Sequence, residues 1–269
     1  MLKIKSDGDR MDEEFEKNGK EKKVEKIKRL IESEVFDRTV LLTLGYFMNK
    51  KLIESVDFPI SKGKEAYVFR ATAGEKVKKD YGFDFIAIKI YMIETSQFKR
   101  MSSYIQGDKR FGDVKKSKRG IVYTWTRKEF RNLMICESAG VNAPKPIAFK
   151  DNILLMEYIG ENGDPARLLH DIGPPEPEKN FNQIIGEIKK LYRNNLVHAD
   201  ISDFNILVKG NELFLIDIGQ GVLRDHPMAE EFLTRDVRNM VKYFSKFGIK
   251  SNVDEILNKI KQIDKTNKK

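Results

Sequence analysis

The stretch that constrains this chain most runs from Leu196 to Val208 and reads LVHADISDFNILV. It is apolar at both ends, yet His198, Asp200, Asp203 and Asn205 sit inside it. Buried polar groups cost free energy unless they are paired or used, so something in or beside the segment must reward their presence. Twelve residues after Asn205 a further carboxylate, Asp217, closes the apolar run NILVKGNELFLID, which reads as a hairpin turning at Gly210-Asn211.

His198-Ala199-Asp200 and Asn205 have the spacing H-x-D-x-x-x-x-N. Followed by Asp217, this order matches a protein-kinase catalytic loop and its metal-binding Asp, with DIG in place of DFG. In that chemistry Asp200 orients the attacking hydroxyl and accepts its proton. Asn205 and Asp217 supply an amide oxygen and a carboxylate to Mg²⁺ on the phosphates. The structural alternative is a helix-to-hairpin corner whose polar residues cap turns.

Upstream residues in the right order favour the chemical reading. Lys89 ends IAIK, a match to the strand V-A-I-K whose Lys contacts the α- and β-phosphates, although a Lys ending an apolar strand also serves as a solvated edge. SKGKEAYV, residues 61 to 68, overlays the glycine-rich phosphate loop with Ser61, Gly63 and Ala66, and Lys62 adds positive charge. A plain hairpin turn explains that segment equally. Glu129 is the candidate ion-pair partner of Lys89. It also stands three residues after Thr126, in capping-box spacing, with Trp125 and Phe130 placed as a staple across that helix start. Met156, Glu157 and Ile159 fall at a hinge whose backbone can pair with adenine.

The layout is α+β and bilobal, a protein-kinase-like fold with a β-rich lobe followed by a helical one. Residues 1–20 are polar and read as a disordered tail, and 21–56 as a helical extension, with Val24, Ile27, Leu30 and Ile31 at helical spacing and a second helix after Asp37. Residues 57–158 form the first lobe, containing a basic flexible loop at 94–123, and 159–269 form the second. From Phe98 to Lys128 there are ten Lys or Arg and two Asp, which concentrates the net charge of +9 in this segment and, more weakly, in the tail NKIKQIDKTNKK. Phe181, Ile184, Ile185, Ile188, Leu191 and Tyr192 make one helical face, and helices over EEFLTRDVRNMVKYF and VDEILNKIKQI end the chain.

No apolar run approaches the roughly 20 residues of a membrane span, and the N-terminus lacks a signal-peptide core. The expectation is a soluble, cytoplasmic protein without a membrane partner. Cys136 is the single cysteine and reads as a packed thiol at a helix end. With three His, a zinc site is not expected, and His226 reads as a structural residue at a turn.

An A-P-E element after Asp217 is missing, and GQGVLRDHPMAEEFLTRDVRNMVKYF is too short for a conventional activation segment. SKGKEA, LVHADISDFNIL, IDIGQGV and DHPMAEEFLTRD together resemble the RIO family of atypical kinases, in its type-1 branch. The resemblance spans about Phe36 to Phe244. It implies an ATP- and Mg²⁺-dependent serine/threonine kinase or ATPase, with Mn²⁺ as a substitute metal. It further implies autophosphorylation and action on a protein substrate in maturation of the small ribosomal subunit, with the pre-subunit and its rRNA as partners. Asp217 is also the position at which the family can carry an aspartyl-phosphate. The chain departs from the family at Lys62, where Thr is usual, and at Gly219 and Gly221, where Ser is common. Two rivals remain. A small-molecule phosphotransferase needs a larger C-terminal pocket than the roughly fifty residues after Asp217 supply. A ribosome-binding module with lost chemistry conflicts with the full set Lys89, Asp200, Asn205 and Asp217.

Overall fold

The structure, a computed structural model, describes residues 36–94, 97–112 and 117–262. The expected tail over 1–20, the helix around Val24 to Ile31, and Lys115 and Lys116 of the basic segment lie outside the described residues.

Helix α1 (Arg38–Asn49) starts where Asp37 accepts a hydrogen bond from the Val40 N–H at 2.8 Å, the usual N-cap arrangement. Its buried face of Val40, Leu44 and Phe47 rests on a five-stranded antiparallel sheet. The strands are β1 (Ile53–Lys62), β2 (Ala66–Ala73), β3 (Phe85–Tyr91), β4 (Pro146–Lys150) and β5 (Ile153–Glu157), in the order β1-β2-β3-β5-β4. A short helix α2 (Glu75–Tyr81) bridges β2 and β3. The expected helical extension to residue 56 overlaps β1, which begins at Ile53.

Side chains alternate across a strand, and β3 shows what that does. Ile86, Ile88 and Ile90 pack into the cluster under α1, while Ala87 and Tyr91 join the larger cluster on the other face. Lys89 therefore points to that second face, where helix α4 (Lys118–Ser138) crosses the sheet.

The basic segment is not a loop throughout. Phe98–Ile105 forms helix α3, with Met101, Tyr104 and Ile105 buried, and residues 118–123 already belong to α4. The 3–4 spacing of Phe98, Met101 and Tyr104-Ile105 drives this, and the density of lysines masks it in the sequence. The capping box also fails. The N-cap of α4 is Ser117, which accepts from the Gly120 N–H at 3.2 Å. Thr126 is buried in mid-helix, its hydroxyl donating to the Val122 carbonyl at 3.0 Å.

The helical part is built from α5 (Pro177–Arg193), a hairpin of β6 (Ile206–Lys209) and β7 (Glu212–Leu215), α6 (Ala229–Ser245) and α7 (Val253–Lys261). Lys209 pairs with Glu212 across Gly210-Asn211, and Gly210 takes φ +56° as such a tight turn requires. Cys136 is buried near the end of α4, and burial pushes its thiol up to about 12. His226 accepts from the Met228 N–H at 3.1 Å and stacks on Phe232, a structural placement. Among the described residues, no helix is long and apolar enough to cross a membrane.

Candidate active site

Lys89 on β3 lies in the register of Val68 on one side and Leu154 on the other. Its Nζ donates to both carboxylate oxygens of Glu129, at 2.8 and 3.0 Å, and to Asp217 Oδ1 at 2.9 Å. Three segments far apart in sequence thus meet at one ammonium. Burial alone would lower the Lys89 ammonium, but the carboxylates of Asp217 and Glu129 outweigh it and hold it above its usual value. Lys89 in turn holds the Asp217 carboxyl below its usual value, and burial pushes Glu129 up. Since Glu129 is not at a helix start, its buried position is explained by this ion pair.

Asp217 adopts φ +61°, a left-handed conformation that is uncommon for a residue bearing a Cβ. Strained backbone of this kind clusters at functional sites, and here it turns the chain out of β7 into the single turn Ile218–Gln220. On the catalytic-loop stretch, Asn205 Nδ2 donates to the Asp200 carbonyl at 2.8 Å and to its Oδ2 at 3.1 Å. That fixes the amide with its oxygen directed away from Asp200. Burial raises the Asp200 carboxyl, and Arg100 opposes the rise. His198 is buried, shares a hydrogen bond of 3.2 Å with the Ile216 carbonyl, and is lowered by burial to about 4, so it is a neutral strut.

The remaining expected positions fall around this centre. Ser61, Lys62 and Gly63 form the exposed end of the β1–β2 hairpin, with Gly63 N–H donating to Ala66 O at 2.9 Å and Lys62 Nζ 5.3 Å from the centre of the Tyr67 ring. Glu65, next to them, has its carboxyl raised by burial and by the charge of Asp217. Met156 and Ile159 are buried. The Glu157 N–H donates to the Lys145 carbonyl at 2.8 Å and the Ile159 carbonyl accepts from Ala166 N–H at 3.0 Å, so those two groups are already paired within the chain.

Several residues of the site are missing from the sequence reading. Asp236, in mid-α6, accepts from the N–H groups of Ala199 and Ile201 at 2.8 and 2.9 Å, and Arg235 donates to the Ala199 carbonyl. Together they hold the loop whose Ala199 has φ +66°. Burial pushes the Asp236 carboxyl up to about 7 against those two donors. Lys128 and Asn132, buried on α4 beside Glu129, donate to the carbonyls of Ile218, Gly219 and Gly221. Burial lowers the Lys128 ammonium to about 7. A polar residue on an otherwise apolar helical face was the available signal for Asp236, which lies between Leu233 and Met240.

Mg²⁺ takes oxygen ligands, commonly from one or two carboxylates plus substrate phosphates and water. Asn205 and Asp217 fit that donor set. Among the described residues, no group of three or more His, Cys, Asp or Glu is placed to hold a metal without such help.

The RIO domain family matches residues 67–256. The chain is 38% identical over 226 residues to the RIO-type serine/threonine-protein kinase Rio1 of Haloferax volcanii, covering 84% of this chain and 76% of that protein. It is 42% identical over 195 residues to the RIO-type serine/threonine-protein kinase Rio1 of Thermoplasma acidophilum, covering 72% of this chain and 99% of that one. In fold it is similar to the Rio2 kinase of Chaetomium thermophilum solved as an ADP/Mg²⁺-phosphoaspartate complex, with TM-score 0.60 and 20% identity, over 83% of this chain and 66% of the other.

Proposed function

This chain belongs to the RIO family of atypical serine/threonine-protein kinases, and we propose that Lys89, Glu129, Asp200, Asn205 and Asp217 carry its phosphoryl transfer from ATP. The observation that supports this most is the single Lys89 ammonium joined to both Glu129 and Asp217. Lys89 compensates phosphate charge, and Glu129 keeps it in place. Asn205 and Asp217 hold Mg²⁺, or Mn²⁺ in its stead, which supplies charge neutralisation on the phosphates when bound. Asp200 receives the proton of the acceptor hydroxyl as the new O–P bond forms. The bond from the γ-phosphorus to the bridging oxygen breaks, and its electron pair leaves with ADP. Ser61, Lys62 and Gly63 line the phosphate end, and Met156, Glu157 and Ile159 the adenine end.

The test separates binding from transfer. Asp200→Ala keeps Mg·ATP affinity and loses transfer, whereas Asp217→Ala loses the Mg²⁺ dependence of nucleotide binding. Nucleotide titration with and without Mg²⁺ reads both. An Asp217 variant with the parent's metal dependence overturns the assignment.

The resemblance also supports a cytoplasmic role in maturation of the small ribosomal subunit, with its rRNA as a contact and a protein substrate. Exposed Lys99, Lys109, Lys118 and Arg119 supply cationic surface on the basic segment. Autophosphorylation is supported by the position of α3, which sets Arg100 against Asp200 and carries Ser102 and the exposed Ser103. Mapping of labelled residues after incubation with γ-labelled ATP tests it.

A further inference from the structure

Gln220 lies three residues beyond Asp217 and is 4% exposed, a buried polar side chain in the wall of the cleft. Its two amide ends have different partners. Nε2 donates to Asp200 Oδ2 at 2.8 Å, and Oε1 accepts from Arg100 Nη2 at 3.1 Å. An amide flip would set its oxygen against the Asp200 carboxylate and its NH₂ against a guanidinium, two repulsive contacts, so the orientation is fixed by chemistry. Asn205 Nδ2 reaches the same Asp200 Oδ2 at 3.1 Å. Oδ1 instead faces Arg100 Nη2 across 3.7 Å, longer than a hydrogen bond. One carboxylate oxygen is thus saturated by two amide donors, while the other meets Arg100 only across 3.7 Å, on a side chain that is 31% exposed.

We propose that Gln220 is a positioning residue for phosphoryl transfer, which, oriented by Arg100, locks the Asp200 carboxylate so that Oδ1 is the oxygen that receives the acceptor's proton. The inference rests on the reading of Asp200 as proton acceptor. It adds a link between the two halves of the site: the turn that begins at Asp217 also sets the rotamer of Asp200. It also gives α3 a part in the reaction, since Arg100 comes from the basic segment and not from either catalytic stretch. The lock matters because transfer is sensitive to the placement of the accepting oxygen, and a displacement of about 1 Å can cost on the order of 100-fold in rate.

The test is single-turnover loss of the γ-label from Mg·ATP with enzyme in excess, so that product release does not mask the chemical step. Gln220→Met keeps the shape of the side chain and removes both amide contacts. It is expected to slow the step by about 10- to 100-fold while the Kd for Mg·ATP and the thermal midpoint stay near the parent's. Arg100→Met, at a half-exposed position that tolerates change, is expected to slow the step in the same direction. Arg100→Lys, which keeps a donor for Oε1, recovers most of that loss. A Gln220→Met or Arg100→Met protein that turns over at the parental rate overturns the proposal. So does a loss that appears wholly as weaker Mg·ATP binding, because packing alone would then explain it. Asp200→Ala is run alongside. If the parent is no faster than that variant, the assignment of Asp200 itself falls, an outcome distinct from failure of the Gln220 lock.

Discussion

At the scale of single residues, Lys89 and Glu129 show how a site and its stability become one problem. Glu129 is fully buried with its carboxylate on Lys89 and with Asp217 beyond it. Removing Lys89 therefore leaves a buried carboxylate without its cation, a loss of about 3–5 kcal/mol. Lys89→Met is expected to be inactive and unstable, and adding Glu129→Gln should restore most of the stability and none of the activity. Denaturant unfolding beside an ATP-turnover assay reads both. A single variant as stable as the parent contradicts it. Asp236 gives a pH signature. Its folded carboxyl is raised to about 7, above the unfolded value, so the fold binds its proton more tightly. The stability this confers is present at low pH and declines as pH rises toward and through 7, with a slope of at most about 1.4 kcal/mol per unit. Asp236→Asn lacks that slope. The parent's advantage over it should shrink from pH 4 to 7 in denaturant titrations, and a constant difference would show that Asp236 stays ionised.

Among the elements, α4 carries the most. Glu129 faces β3, while Lys128 and Asn132 grip the turn that follows Asp217. The helix lies so close to that turn that a Cβ at Gly219 would meet Trp125 at 3.0 Å, and one at Gly221 would meet Asn132 at 2.9 Å. The two glycines fit this approach. Arg110 adds a tie from the basic segment, bonding Asp108 and Asn132 at 2.7–2.9 Å. Lys128→Met leaves the Gly219 carbonyl without that buried donor, at a cost of about 1–3 kcal/mol. It should also weaken Mg·ATP binding as the turn bearing Asp217 relaxes. Unfolding and nucleotide titration check this, and unchanged nucleotide affinity would confine Lys128 to stability. Strands β2, β3 and β5, helix α5 and the β6–β7 hairpin were legible because hydrophobic period and turn residues are local, whereas the start of β1 reads as the end of a helix. Helix α3 and the start of α4 were not, because charge hid the period in one and a chance Thr–Glu spacing imitated a cap in the other.

For the whole molecule, the five-stranded sheet is covered on both faces, by α1 on one and by α4 with the helical part on the other. The basic segment contributes inward as well as outward. Lys128 is fully buried, Arg110 pairs with Asp108, and Arg100 turns to the cleft. Lys99, Lys109, Lys118 and Arg119 are exposed, and the surface pairs Lys109–Asp225 and Lys118–Glu94 restrain them weakly. Replacing these four with Ser is expected to lower the slope of log affinity for small-subunit rRNA against log salt by about 3, as counterion release is lost. A filter-binding series across salt measures it, and an unchanged slope removes this surface from RNA contact.

The sequence by itself determined the family, the order of strands and helices in its periodic stretches, and the main polar set, Lys89, Glu129, Asp200, Asn205 and Asp217. Those features are local in spacing or carried by motifs. Tertiary structure alone decided which oxygen of Asp200 is held, that Asp236 anchors the loop at residues 37 and 35 positions before it, and that Lys128 points inward. A side chain's partner depends on what folding brings beside it, and neither the amide of Gln220 nor the guanidinium of Arg100 carries that information in its own neighbourhood of the chain.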